Sequence, residues 1–170
     1  MFDFLKKDTA AEEAASQQLS KTNSVIAAIK SGVAWIEFDP DGTIRDVSER
    51  FLNFAGYRKD EVIGKHHAVM CIPGFANSSE YKNFWTDLRR GNTHRGTFER
   101  VRKSGDPLWL EATYFPIMEA GQVTGVMKIA SDVTDEVNQN KETEAILSAL
   151  NRSQAVIEFT PDGYMPSCRH

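Results

Sequence analysis

Apolar residues recur along this chain with two different periods, and the switches between them mark out its elements. Residues 8–30 carry a sparse helical stripe of Leu19, Val25, Ile26 and Ile29. Thr9 and Glu12 stand at capping-box spacing, and Gly32 is placed to end the helix. The period then drops to two. AWIEF and TIRDV read as short strands of one hairpin over residues 34–47, joined by the turn DPDG. In that turn Pro40 presets its φ and Gly42 can take a positive one. SERFLNFAGY reads as a helix capped by Ser48, with Phe51, Leu52 and Phe54 inward and Gly56 as the stop. RKDEVIGK adds one turn ending at Gly64, and HHAVMC is a connector. Ser78 or Ser79 then caps a helix whose Tyr81, Phe84, Trp85 and Leu88 recur at i, i+3, i+4, i+7.

Three strands follow: HRGTFERVRK, PLWLEATYFPI and VTGVMKIASD, with Gly105 and Gly121 marking the turns. On the longest, Leu108, Leu110, Ala112 and Tyr114 form the more apolar parity, expected to face the helices. Trp109 shares the opposite parity with Glu111, Thr113 and Phe115 and belongs to the outer face. Two strands, several short helices and three strands predict an α+β fold, an antiparallel sheet with short helices packed on one face. The polar segment from residue 134 to 152 reads as a further helix beyond the sheet.

One stretch occurs twice. KTNSVIAAIKSGVAWIEFDPDG (21–42) aligns without gaps to ETEAILSALNRSQAVIEFTPDG (142–163), helix, strand and turn alike. The strand copies start at residues 34 and 155, and the difference, 121, is the size of one compact domain. This implies an N-terminal helical cap over 1–22, a complete module over 23–137, a linker helix over 138–154, and the start of a second, truncated repeat over 155–170. The tail YMPSCRH does not continue the copy.

Composition narrows the chemistry. Hydrophobic residues at 41% and charged residues at 26% suffice for one core. A net charge of −4 argues against nucleic acid. A local gathering of Arg89, Arg90, Arg95, Arg100, Arg102 and Lys103 is diluted by acidic neighbours. The two cysteines, Cys71 and Cys168, make no CxxC. No apolar run approaches the roughly 18 residues that span a bilayer, so direct membrane insertion is not expected and a cytoplasmic location follows by default. Nucleophile elbows, HExxH, phosphate-cradling loops and zinc spacings are all missing from the sequence, which argues against an enzyme.

The order of elements, the AGY…DEVIGK step, the FW…LRRG…WLEATYFPI block and the terminal SDVTDE resemble the PAS sensory family. The resemblance covers about residues 23–137. WLEATYFPI with GVMKIASDVTD resembles the tandem PAS modules of soluble chemotaxis-receptor-like, biofilm-dispersion-type proteins. The resemblance implies a five-stranded antiparallel sheet, a ligand pocket between sheet and short helices, and flanking N- and C-terminal helices. It also implies homodimerisation through those helices and a downstream signalling domain in the parent chain.

The resemblance places Trp85, Leu110, Ala112 and Met127 on the pocket walls, with His66, His67 and Cys71 on the connector beside them. Imidazole or thiolate there could ligate iron. Haem b is the first candidate cofactor, with His67 as axial ligand and His66 or Cys71 as fallback. The plainer alternative is one solvated histidine, the other capping a short helix, and Cys71 as a buried small hydrophobe. Trp85 has its own alternative in core packing. FAD is the second candidate, since Trp85 matches the tryptophan of flavin-binding aerotaxis receptors. Cys71, Ile72 and Arg100 depart from the rest of that pattern, and SERFL replaces the NCRFL of light-sensing flavin modules. Asp132 and Thr134 fall where the family couples its last strand to an output helix. The implied function is sensing of a small ligand, oxygen or redox state; the alternatives are cofactor-free dimerisation and relay, and a flavin redox sensor.

Overall fold

The computed structural model describes residues 2–153, with side chains over residues 12–152. A long helix α1 (Phe2–Gly32) leads into strands β1 (Ala34–Phe38) and β2 (Ile44–Val47). Short helices α2 (Glu49–Ala55) and α3 (Lys59–Val62) and two 3-10 turns (His67–Met70, Phe75–Asn77) precede α4 (Ser79–Arg89). Strands β3 (His94–Val101), β4 (Pro107–Glu119) and β5 (Gln122–Asp132) complete the sheet, and α5 (Thr134–Ser153) follows. The five strands lie in the order β2-β1-β5-β4-β3, antiparallel throughout. The crossover from β2 to β3 carries the helices over one face. The chain divides after Asp132 into two compact units, so α5 is described by itself.

Two expectations shift. The first helix starts at Phe2, ahead of residue 8, so Thr9 and Glu12 lie inside it and do not open it. Local capping signals are weak beside an uninterrupted run of good helix formers. The repeated hairpin copy, residues 155–170, lies outside the described residues.

Elsewhere the local chemistry acts as read. Ser48 takes Phe51 N–H at 3.3 Å and Trp35 N–H at 2.9 Å, and donates to Trp35 O at 3.1 Å. One hydroxyl thus caps α2 and fastens it to β1. Ser78 caps α4 by accepting from Tyr81 N at 3.0 Å. The β4–β5 turn has positive φ at Ala120 (48°) and Gly121 (79°), the type I′ twist that closes two-residue hairpins.

Side-chain parity then sorts the sheet. Its inner face carries Ala34, Ile36 and Phe38 from β1, and Leu108, Leu110, Ala112 and Tyr114 from β4. Phe98 and Arg100 come from β3, and Val126, Lys128 and Ala130 from β5. Ile44, Val47, Phe51, Leu52, Ala55, Val62, Tyr81, Trp85 and Leu88 close the core over it. The outer face carries Trp35, covered by the end of α1. Its Nε1 donates to Lys30 O at 2.9 Å, and Lys30 Nζ lies 4.0 Å from its ring centre. Met127 is a correction. The buried residues around it are Val126, Lys128 and Ala130, so Met127 points to the outer face, away from the wall expected for it. The resemblance put Met127 on the pocket wall, but in VMKIA both parities carry apolar residues and the pattern alone does not choose between them. The register with β1, Ile36 opposite Lys128, puts the lysine inside.

Candidate functional site

The site is assembled by the first turn. Asp41 Oδ1 accepts from Thr43 N at 2.9 Å, and Gly42 N donates to Asp39 O at 2.9 Å. Gly42 has φ +94°, and a Cβ there would stand 2.7 Å from His66 Nε2 and 2.8 Å from the Trp85 ring. The position therefore excludes every side chain twice, by dihedral and by space. The turn's carbonyls grip the connector: Gly42 O accepts from His67 N and Asp41 O from His66 Nε2, both at 2.8 Å. A carbonyl can only accept, so His66 carries its proton on Nε2. Its Nδ1 is left to accept from Ala68 N at 3.2 Å and cap the 3-10 turn His67–Met70.

His67 is 1% exposed. Its Nδ1 lies 2.9 Å from the Tyr81 hydroxyl on α4, and its Nε2 lies 3.1 Å from the Tyr114 hydroxyl on β4. The rings of Phe38, Tyr81, Phe84, Trp85 and Tyr114 surround it at centroid distances of 5.4 to 6.2 Å. Burial holds the imidazole well below its usual pKa, and the Arg100 and Lys128 charges add to the effect. A neutral imidazole has one N–H and one lone pair, so one tyrosine donates to it and the other accepts. Burial also pushes both phenols up, Tyr114 to about 12, and raises the Cys71 thiol. Cys71 Sγ is 3.7 Å from His67 Nδ1 and is protonated and inert at neutral pH.

Two further basic side chains stand on this wall. Lys128 is 1% exposed, with Nζ 5.0 Å from the Tyr114 ring centre and 5.3 Å from that of Phe51. Burial, then Arg100, depresses its pKa well below the usual lysine value. Arg100 is 4% exposed, and its Nη2 lies 3.5 Å from the Tyr114 hydroxyl. A crevice of about 510 Å3 opens between α4 and β3, lined by Phe75, Phe84, Phe98, Arg100, His94 and Glu80 among others.

The structure thus brings His66, His67, Cys71 and Trp85 together, with Leu110 and Ala112 on the facing sheet wall and Met127 outside it. Asp132, at the end of β5, accepts from Arg102 Nη2 at 2.8 Å, and Thr134 is the first residue of α5. Sequence reading missed Tyr81 and Tyr114 as polar partners and Arg100 and Lys128 as interior groups. The signal for the tyrosines was a hydroxyl on an apolar stripe, since a buried hydroxyl needs a partner.

Haem does not fit His67 as it stands here. Both ring nitrogens are engaged by tyrosine hydroxyls, and five aromatic rings fill the space an iron porphyrin would take. A flavin ring meets the same rings, and Cys71 and Arg100 occupy the places where the flavin pattern differs. Among the described residues no group of three or more His, Cys, Asp or Glu side chains could hold a metal ion. None of the described helices is long and apolar enough to cross a membrane.

Known proteins share this architecture. The chain is 46% identical over 139 residues to the biofilm dispersion protein BdlA of Pseudomonas aeruginosa, 81% of this chain and 33% of that protein. It is 27% identical over 113 residues to the aerotaxis receptor of Escherichia coli, 66% of this chain and 22% of the receptor. It thus spans a third or less of the length of these relatives. The crystal structure of a PAS domain from Colwellia psychrerythraea superposes with a TM-score of 0.59 at 23% identity, covering 67% of this chain and 98% of that one. The family model described as the PAS fold matches residues 30–138, from the last turn of α1 through the sheet into the first turns of α5. The chain belongs to the PAS fold family.

Proposed function

We propose that this chain is the sensory module of a cytoplasmic, chemoreceptor-like signalling protein, and that the ring cluster around His67 is its responsive element. One observation carries the reading: a single buried imidazole ties the connector to α4 through Tyr81 and to β4 through Tyr114. Tyr114 lies opposite Lys128 on β5, and β5 ends at Asp132, two residues before Thr134 opens α5. A stimulus that shifts the hydroxyl of Tyr114 acts on the strand that leads to the output helix. Breaking one such hydrogen bond is worth about 1 kcal/mol, on the scale of the 1–3 kcal/mol that couples sites allosterically. The similarity to a biofilm dispersion protein and an aerotaxis receptor supports a signalling parent.

The test is output in the full-length parent. Tyr114→Phe, Asp132→Ala and Thr134→Ala are each expected to leave the domain folded and to shift the dose of stimulus that gives half-maximal response. Unchanged dose–response curves in Tyr114→Phe and Thr134→Ala together would overturn the reading.

The relay reading, in which the module works without cofactor as a dimer, is favoured by α1. Its Leu19, Val25, Ile26 and Ile29 are 48 to 62% exposed, and Leu19 and Ile26 stand seven residues apart. The occupant this seam fits is a second copy of the same helix. Removing residues 1–20 is expected to weaken the dimer in sedimentation velocity runs. An unchanged dimer moves the interface to the sheet.

A further inference from the structure

Arg100 and Trp85 hold the two buried side-chain nitrogens, Arg100 Nε and Trp85 Nε1, that lack a hydrogen-bond acceptor among the described residues. The arginine is the more anomalous. A guanidinium is a cation, and a buried charge without a partner is costly. Neighbouring basic residues are answered: Arg95 by Glu111 at 3.1 Å, Arg102 by Asp132 at 2.8 Å, Lys103 by Glu61 at 2.5 Å. No carboxylate of the described residues pairs with Arg100. The buried polar and charged groups of the core are His67, Arg100 and Lys128, with no acid among them.

The orientation of the fork is informative. Nη1 is spent on the strand's own Glu99 O at 2.7 Å. Among the described residues Nε has no acceptor, and Nη2 has the Tyr114 hydroxyl at the limit of hydrogen bonding, 3.5 Å. Nε and Nη2 form the side-on edge that takes both oxygens of a carboxylate. The guanidinium lies 5.8 Å from the Phe75 ring centre and 5.1 Å from that of Phe98. These rings and Phe84 give the 510 Å3 crevice apolar walls, and its size suits a small ligand.

We infer that this crevice binds a small aryl or arylalkyl carboxylate, its two oxygens on the Nε–Nη2 edge of Arg100 and its ring against Phe75, Phe84 and Phe98. The assignment rests on the sensory reading above and names the class of its ligand. Nε is closed from solvent in this arrangement, so binding requires a ring beside the guanidinium to move; Phe75 and Phe98, at 5.8 and 5.1 Å, are both only half-buried. The carboxylate draws Nη2 away from the Tyr114 hydroxyl, and that is how occupancy reaches the His67 cluster. Two acids stand at the mouth. Asp87 is engaged by Arg90 at 3.6 Å and His94 at 3.8 Å, while Glu80 is exposed on the first turn of α4.

Isothermal titration calorimetry of the purified chain with phenylacetate, 2-phenylacetamide and inorganic phosphate tests this. Phenylacetate is expected to bind saturably, and the amide at least about tenfold more weakly, because it lacks the charge that the fork recognises. Phosphate, lacking an apolar body, is expected to compete poorly. Arg100→Met is expected to abolish binding while holding or raising the melting temperature, since it removes an unpaired buried charge. Arg100→Lys keeps the charge without the fork and is expected to weaken binding. Glu80→Gln removes repulsion at the mouth and is expected to tighten it.

Phenylacetate that fails to bind, binds no better than its amide, or binds Arg100→Met unchanged overturns the assignment. So does a sharp loss of stability in both Arg100→Met and Arg100→Lys, which marks a structural arginine. Failure here alongside a parent whose output still responds to Tyr114→Phe removes the carboxylate and leaves the sensory reading standing. Failure of both removes the two together.

Discussion

The two halves of the sheet's inner face are equally buried, but only one of them buries polar and charged groups. Over β1 and β2, Ile36, Ile44, Val47, Phe51, Leu52, Ala55 and Val62 are each 3% exposed or less. Over β3 and β4 the apolar Leu88, Leu108, Leu110 and Ala112 are joined by His67, Tyr81, Arg100 and Tyr114, with Lys128 at the seam against Phe51. Burial in the first half gains free energy from every methylene removed from water. In the second it leaves charges desolvated and hydrogen bonds that merely break even. A fold that tolerates the second half needs the first to hold it. The costly half is therefore where function is expected.

The sharpest way to break this contrast is to damage the apolar half. Phe51→Ala is expected to cost about 3–5 kcal/mol, a large share of a domain's roughly 5–15 kcal/mol. Urea denaturation followed by circular dichroism measures it, and a cost under about 1 kcal/mol would mean that the two halves are not distinct.

Acid tests the polar half. His67 is neutral when folded, with a pKa held below its unfolded value near 6.5. Between those two values the unfolded chain binds the extra proton. Stability is thus fully present above pH 6.5 and falls as pH drops toward the folded value, by up to about 1.4 kcal/mol per pH unit. The groups facing His67 across this window are Arg100 and Lys128, both basic, the hydroxyls of Tyr81 and Tyr114, the thiol of Cys71, and His66. His67→Gln keeps a donor and an acceptor but cannot titrate. It is expected to flatten the stability–pH curve between pH 6.5 and the carboxylate range, and an equally steep curve would place the titration elsewhere.

Smaller effects mark the joints. Ser48→Ala removes a cap that also fastens α2 to β1, and about 1 kcal/mol should be lost in the same denaturation assay. At the far hairpin, Ala120 holds φ at 48°, a conformation that Asn adopts more readily. Ala120→Asn is expected to gain a few tenths of a kcal/mol up to about 1, with no change in either half of the core.

The legible parts of the sequence were those where one period dominated. Tyr81, Trp85 and Leu88 on α4, and Leu108, Leu110, Ala112 and Tyr114 on β4, alternate too regularly to be misread, and the structure buries each of them. The cap at Ser48 was legible because a hydroxyl before an apolar run has one obvious use, and that of α4 was legible to within one residue, Ser78 or Ser79, of which the structure uses Ser78. Lys128 and Arg100 were not legible. Charged residues on strands are ordinarily assigned to water because burying them is unfavourable, and here the neighbouring strands fix the parity against that preference. Met127, put on the pocket wall by resemblance, is on the outer face because Lys128 takes the inner parity. The histidine connector was half legible: HHAVMC announced reactive groups, but only the fold shows that one ring caps a turn while the other is locked between two tyrosines.

The close seat of Gly42 against Trp85 gives this protein an optical reporter of its own. The Trp85 indole is wedged between the first turn, His66 and His67, at ring distances of 5.9 and 5.6 Å from the two imidazoles. Trp35 and Trp109 sit on the opposite face of the sheet. With those two replaced by phenylalanine, the emission of the remaining indole reports on one wall alone. Any event that loosens the grip of the turn on the connector would then be visible as a change of colour and intensity, with no label attached and no knowledge of what triggered it.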